Sequence, residues 1–252
     1  YKKFPLYSVP SSLFNSLGVQ LPTILFAGLF SPTIAGLYYL SNRVLISPIR
    51  IIGSAIANVF LSRAPEALRD NKLDELVFKI HDKLANLAMA PTLVLILIAP
   101  EIFELVFGLD WKESGVYTQI LAPWFYLIFV TSPIMTSFAV LEKQSDELVF
   151  QIILLIGRIA SILIGYYTGE VRLTIILFGF TSFACWLGLL FWIIYKTGNK
   201  VSKLFYSILK VFLIAVVLIF PLIFASIFYR ESPVLMFIGF LISVTLISVR
   251  YY

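Results

Sequence analysis

Residues 34–61 read IAGLYYLSNRVLISPIRIIGSAIANVFL, an almost continuous apolar run that carries two arginines and no carboxylate. A helix needs about 20 apolar residues to cross the hydrocarbon core of a bilayer, so this run is long enough to span a membrane. Arg43 and Arg50 are seven residues apart. That spacing places them on one helical face, roughly 10 Å apart. The run therefore predicts a membrane helix with a cationic seam.

The rest of the chain has the same apolar character. Of its 252 residues, 60% are hydrophobic and 13% are charged, whereas an average soluble domain has about 25% charged residues. A soluble domain of this length could not cover so much apolar surface, which excludes a soluble enzyme, a disordered tail and a nucleic-acid-binding groove. The single cysteine, Cys185, forms no internal disulfide, so a disulfide scaffold is also excluded.

Hydropathy predicts an all-α, polytopic membrane helix bundle of about eight transmembrane helices. Prolines interrupt several of these segments, which is tolerated where neighbouring helices or water satisfy the freed carbonyl groups. The predicted spans are residues 8–29, 34–61, 84–107, 115–141, 148–168, 171–195, 205–228 and 233–249.

The segments between the predicted spans alternate in charge. With a cytoplasmic N-terminus, 13 basic residues lie on the inner side and only Lys112, Arg172 and Arg230 lie on the outer side. This positive-inside bias supports the span count and predicts that both ends of the chain are cytoplasmic.

The polar stretch from Arg63 to Lys83 predicts a short, separate amphipathic helix before the third span, which either lies on the cytoplasmic interface or, as the simpler interpretation, is a solvated connecting helix. Apolar residues recur there at helical spacing and charges fill the other face. His81 has no partners at metal-ligand spacing, so we expect neither a metal site nor a cofactor.

Polar side chains form seams on the first, second and fifth predicted spans. A charge at mid-depth costs about 2.5–3.5 kcal/mol on the insertion scale and needs a partner or water. Arg50 and Arg158 have no acidic residue at matching depth, so we expect them to face an aqueous cavity and bind an anion. The candidate substrate-binding residues are Arg43, Arg50, Arg158, Gln151, Asn15 and Asn58.

The planar guanidinium group suits phosphate oxygens, which favours a phosphate-bearing ligand. The alternative is structural, because interhelical polar side chains also bind helices together, at about 0.6 kcal/mol for each hydrogen bond. Catalysis is not predicted: the chain has no Gly-rich phosphate loop, no GxSxG elbow and no paired carboxylates in a span.

Three stretches of the sequence resemble one known family. The first, YSVPSSLFNSLGVQLPTILFAGLF at 7–30, looks like the seventh span of that family. The second span contains YxLxxRVxxxP at 38–48 and IxxAxxxVFxxxA at 52–64. A later turn contains FGxxWxxSGxY at 107–117, followed by LxPW at 121–124. These runs are similar to the eighth span and the ninth-to-tenth turn of bacterial polysaccharide flippases, the Wzx-type O-antigen and teichuronic-acid-type exporters. Ser114 stands where that family more often has alanine. The resemblance covers residues 1 to about 195, and the last two spans match by hydropathy alone.

The resemblance implies the C-terminal half of a two-lobe, alternating-access transporter. Residues 1–200 would form a six-helix lobe and residues 201–252 two additional helices, with an N-terminal lobe missing, as the start at Tyr1 rather than methionine also suggests. The family flips undecaprenyl-pyrophosphate-linked oligosaccharides across the bacterial inner membrane through a cationic cavity. The expected partners are this lipid-linked glycan, membrane lipid, the other lobe and a polysaccharide polymerase. The prenyl chain would stay in lipid at the seam between the lobes.

Two other functions remain open from the sequence. A multidrug exporter could share this architecture, but a cation exporter usually needs buried carboxylates, and the acidic residues of this chain all fall in loops or near helix ends. A non-transporting membrane scaffold for polysaccharide assembly would not need Arg50 or Arg158.

Overall fold

The computed structural model describes residues 3–228 and 233–251. Every regular element in these residues is helical, which confirms the predicted all-α class. Lys2 and Arg230, which contribute to the predicted charge asymmetry, lie outside the described residues. The helices are α1 (Lys3–Leu29), α2 (Pro32–Arg69), α3 (Leu73–Phe107), α4 (Lys112–Thr131), α5 (Ser137–Val140), α6 (Gln144–Thr168), α7 (Val171–Lys196), α8 (Val201–Leu218), α9 (Phe220–Phe228) and α10 (Pro233–Tyr251).

Within the described residues, seven helical segments are long and apolar enough to cross a bilayer, so the chain is a multi-pass membrane bundle. The predicted seventh span, 205–228, is interrupted, since α8 ends at Leu218 and α9 begins at Phe220. Pro221 lies in the first turn of α9, where a missing N–H does no harm. The predicted eighth span corresponds to α10, in which Leu235–Arg250 forms a shorter apolar helix.

The prediction of a separate amphipathic helix was wrong. The chain reverses within residues 70–72, and α3 then continues from Leu73 through the predicted third span to Phe107. Leu73, Val77 and Leu84 are buried in the main apolar core. The apolar stripe at the start of α3 therefore packs against protein rather than lying on the membrane surface.

The centre of the bundle is α4, in which 14 of 20 residues are buried. Helix α4 is also part of a ring, formed by α1, α2, α4, α7 and α6, in which each helix packs against the next and α6 returns to α1. Helix α3 packs along α4, and α8 packs against α3. At that contact the Ser207 hydroxyl donates to Asp82 at 2.5 Å. The division at residue 200 into a lobe and two added helices stays a prediction.

Helix α3 bends at Ile98 (φ −133°, ψ 21°), two residues before Pro100. Proline removes one helical hydrogen bond and clashes with the preceding turn. The Gln119 side chain from α4 compensates, because its Nε2 donates to the carbonyl oxygens of Ile96 at 2.8 Å and Leu97 at 3.3 Å. The bend is therefore fixed by a side chain of the neighbouring helix.

Helices α3 and α4 also approach closely beside this bend. A Cβ atom added at Gly115 would lie 2.6 Å from the carbonyl oxygen of Ala99. Only glycine fits there, so Gly115 allows the backbones of α3 and α4 to come this close together.

Candidate functional site

A cavity of about 630 Å³ lies within the ring of α1, α2, α4, α6 and α7. Its volume is in the roughly 300–1,000 Å³ range of small-molecule sites. Asn15 and Ser54 line the cavity and are exposed. Because all the exposed wall residues lie on α1 and α2, the cavity opens between these two helices.

Four of the six predicted binding residues line this cavity, although they come from three different helices. The wall contains Asn15 from α1, Arg50 from α2, and Gln151 and Arg158 from α6. The structure thus brings together two cations that are far apart in sequence.

Arg43 and Asn58 are not part of the cavity wall. Both are exposed on α2, the helix that carries Arg50. Helical spacing gives the angular position of a residue on α2, but it does not give the depth of the cavity or how far the wall extends around the helix. The geometry therefore does not support the predicted binding role of these two residues.

Arg158 is buried, with 5% of its surface exposed, and its guanidinium group is held from two sides. Its Nη1 donates to the carbonyl oxygen of Gly18 on α1 at 2.7 Å, and its Nε donates to the Ser182 hydroxyl on α7 at 3.2 Å. Arginine has five N–H donors. Within the described residues its Nη2 makes no hydrogen bond, which leaves donors for a ligand.

Aromatic rings complete the surroundings of Arg158. Its guanidinium carbon lies 4.8 Å from the ring centroid of Trp124 and 5.7 Å from that of Phe178. Such cation–π contacts contribute about 0.5–2 kcal/mol. Tyr38 and Phe26 pack against the ring of Phe178, which also contacts Trp124. The rings partly replace the water that a buried cation would otherwise need.

Arg50 differs from Arg158 in that its side chain is exposed. In the part of the chain that the structure describes, Arg50 forms no hydrogen bond, and neither arginine forms an ion pair. The cavity wall therefore combines one fixed cation with one that is free to reorient.

The sequence analysis did not include Glu147 among the site residues, but Glu147 lines the cavity and is half-buried. Its spacing of four residues from Gln151 and 11 from Arg158 places it on the same helical face, so the signal was present. With Arg50 and Arg158 it gives the described wall a formal charge of +1, from two cations and one anion. No group of three or more His, Cys, Asp or Glu side chains in residues 3–228 and 233–251 could hold a metal ion.

Comparison with known proteins gives one match. Residues 1–116 match a family model described as "Polysaccharide biosynthesis protein". The match includes α1 to α3, which supply Asn15 and Arg50, but not α6, which supplies Gln151 and Arg158. No curated protein and no solved structure matches the chain. The resemblance to polysaccharide-biosynthesis membrane proteins is thus supported at the broad family level.

Proposed function

We propose that this chain is part of a transporter in the bacterial inner membrane that flips polyprenyl-diphosphate-linked oligosaccharides for cell-surface polysaccharide synthesis. The observation that carries this proposal is the presence of Arg50 and Arg158 on one cavity within the membrane bundle, neither of them paired with a carboxylate among the described residues. The family match of residues 1–116 supports a role in polysaccharide biosynthesis.

The electrostatics of the cavity favour a diphosphate. At about 4 Å and an effective dielectric constant near 20, one guanidinium–phosphate contact amounts to about 4 kcal/mol before desolvation is subtracted. Arg158 is already oriented by Gly18 and Ser182, so little side-chain entropy is lost when it binds. Arg50 approaches from another helix and can contact a second phosphoryl group, while the glycan occupies the aqueous part of the cavity.

We further propose that residues 1–200 form one lobe of a two-lobe, alternating-access transporter. The opening between α1 and α2 would face the second lobe, and α8 to α10 would be additional helices. The 13-to-3 bias of basic residues supports a cytoplasmic location for both ends of the chain. A polysaccharide polymerase remains an expected partner.

Glu147 is the observation that favours the alternative of a multidrug exporter. A half-buried carboxylate in a membrane cavity could bind a cationic substrate. Arg50 and Arg158 oppose this alternative, because they repel cations in the same cavity. Catalysis is not part of the proposal, since a single carboxylate in the described wall does not provide an acid–base pair.

The test is complementation of a flippase-null strain by the full-length protein with Arg50→Gln and Arg158→Gln together. We expect loss of surface glycan at normal membrane abundance of the protein. Arg43→Gln is the matched control, since Arg43 is an exposed cation on α2 outside the cavity wall. Normal glycan from the double variant would reject diphosphate binding by these arginines and favour a scaffold.

A further inference from the structure

A second pocket, of about 240 Å³, lies between α2, α3 and α4. Its wall is apolar except for Thr92 and Tyr126. The Thr92 hydroxyl donates to the carbonyl oxygen of Ala88 at 2.8 Å within α3, and the buried Tyr126 hydroxyl is not exposed to the pocket. The pocket therefore presents hydrocarbon surface to whatever occupies it.

This apolar pocket adjoins the cationic cavity. Ile49 and Phe125 line both spaces, and both side chains are buried. The pocket opens in the opposite direction, between α2 and α3, where Pro48, Leu87 and Pro91 are exposed. Ile49 and Phe125 thus stand between the two spaces, and a shift of these side chains would join the cavity to the lipid-facing surface of the bundle.

We propose that this pocket receives the first segment of the hydrocarbon chain of the same polyprenyl diphosphate whose headgroup occupies the cavity. The inference rests on the proposed function. A ligand with an anionic head and an apolar chain matches a cationic cavity that adjoins an apolar pocket across Ile49 and Phe125. The pocket is smaller than the roughly 300–1,000 Å³ of sites that hold a whole drug-sized ligand, so it takes only the segment next to the diphosphate. The chain would then leave between α2 and α3 rather than at the seam between the lobes.

The walls of the pocket are suited to movement. Pro48 on α2 and Pro91 on α3 both line it, and each proline removes one intrahelical hydrogen bond, which makes its helix easier to bend. Helix α2 also packs far more extensively against α4 than against α3. The α2–α3 side is therefore the weaker boundary of the bundle.

The pocket acts sterically rather than as a source of affinity. Lipid tails are as apolar as leucine side chains, so moving a chain from the bilayer into the pocket yields little free energy. Without this pocket, however, the chain next to the diphosphate would have to turn back through the opening between α1 and α2 while the headgroup contacts Arg158. Blocking the pocket should therefore weaken binding of the long-chain diphosphate and leave a diphosphate without a chain unaffected.

Ala88→Trp places a large side chain in the pocket, and Ala160→Trp, at an exposed position of α6 outside both spaces, is the matched control. Binding of undecaprenyl diphosphate and of inorganic pyrophosphate is measured on the purified protein in phosphatidylcholine nanodiscs. We expect Ala88→Trp to bind undecaprenyl diphosphate about tenfold more weakly and pyrophosphate with unchanged affinity, and Ala160→Trp to match the unsubstituted protein. Equal undecaprenyl diphosphate affinity in all three proteins overturns the inference alone. Absence of binding of either ligand to the unsubstituted protein overturns the proposed function as well.

A second measurement uses the unsubstituted protein, so its outcome does not depend on whether a variant folds. A polyprenyl diphosphate with a diazirine on the isoprene unit nearest the diphosphate is photolysed on the unsubstituted protein. We expect labelled peptides from residues 87–95 and 122–129, and much weaker labelling there by a diazirine-bearing phosphatidylcholine. Labelling confined to α1 or α6, or equal labelling by both lipids, shows that this pocket is not the site of the prenyl chain.

Discussion

The contact between α3 and α4 and the ring around the cavity are built from similarly apolar helices, yet they differ in how closely they pack. At the α3–α4 contact the backbones approach until only Gly115 fits, and Gln119 satisfies the carbonyl groups at the bend. In the ring, α1, α2 and α6 leave a cavity whose wall carries Arg50, Glu147 and Arg158. Small residues at a helix contact thus mark rigid structure, whereas unpaired charges mark space for a ligand.

Gly115→Ala should produce the largest change, because the added Cβ meets backbone atoms of α3 that cannot move aside. We expect the free energy of unfolding to fall by about 1–3 kcal/mol, as in other overpacked cores. Gly36→Ala is the control, since nothing lies within 4 Å of its added Cβ. Thermal unfolding in detergent measures both, and equal stability of the two variants would show that the α3–α4 contact is not tight.

Exchanging each cavity arginine for lysine tests whether the fixed cation, Arg158, and the free cation, Arg50, contribute differently to pyrophosphate binding. Arg158→Lys loses the geometry that binds both Gly18 and Ser182, so we expect pyrophosphate binding to weaken about tenfold. Arg50→Lys keeps the charge of a side chain that has no fixed partner within the described residues, so we expect less than about a threefold change. Equilibrium binding of labelled pyrophosphate measures both, and the reverse order would contradict the assignment.

Gln119→Leu tests whether the bend in α3 depends on its neighbour. Loss of the amide leaves the carbonyl groups of Ile96 and Leu97 without their donor. We expect destabilisation of about 0.6–1 kcal/mol. Gln20→Leu, at an exposed position of α1, should change stability less. If both variants unfold alike, the amide does not support the bend.

The smallest effect is expected at the exposed pair of Arg172 and Glu113, although both of its hydrogen bonds are 2.8 Å long. Exposed ion pairs contribute about 0.2–1 kcal/mol and are screened by salt. Arg172→Ala should therefore lower the midpoint of thermal unfolding slightly at low salt and hardly at all in 1 M salt. A difference that salt does not reduce would point to packing of the arginine side chain instead.

The sequence was sufficient to predict the helical class and the first six membrane spans, because the apolar runs are long and the hydrocarbon core allows few alternatives. It also indicated Arg50 and Arg158, since a charge inside an apolar run is costly. It did not show that α3 absorbs the amphipathic stretch, because periodicity does not distinguish a stripe that packs on protein from one that lies on lipid. The predicted binding residues included Arg43 and Asn58 and omitted Glu147. Helical spacing gives the direction in which a side chain points around its helix, but it does not give the position of that side chain relative to the cavity.

The hydrogen bond from Arg158 to the carbonyl oxygen of Gly18 joins α6 to α1 at the wall of the cavity. In the proposed complex the anion binds the donors that this bond leaves free, so one guanidinium group contacts both the anion and α1. Occupancy of the cavity and the packing of α1 are then thermodynamically linked, and the linkage acts in both directions. A shift of α1 that breaks the bond would leave Arg158 less well oriented and lower its affinity for the anion, and a bound anion would in turn favour the position of α1 in which the bond is made.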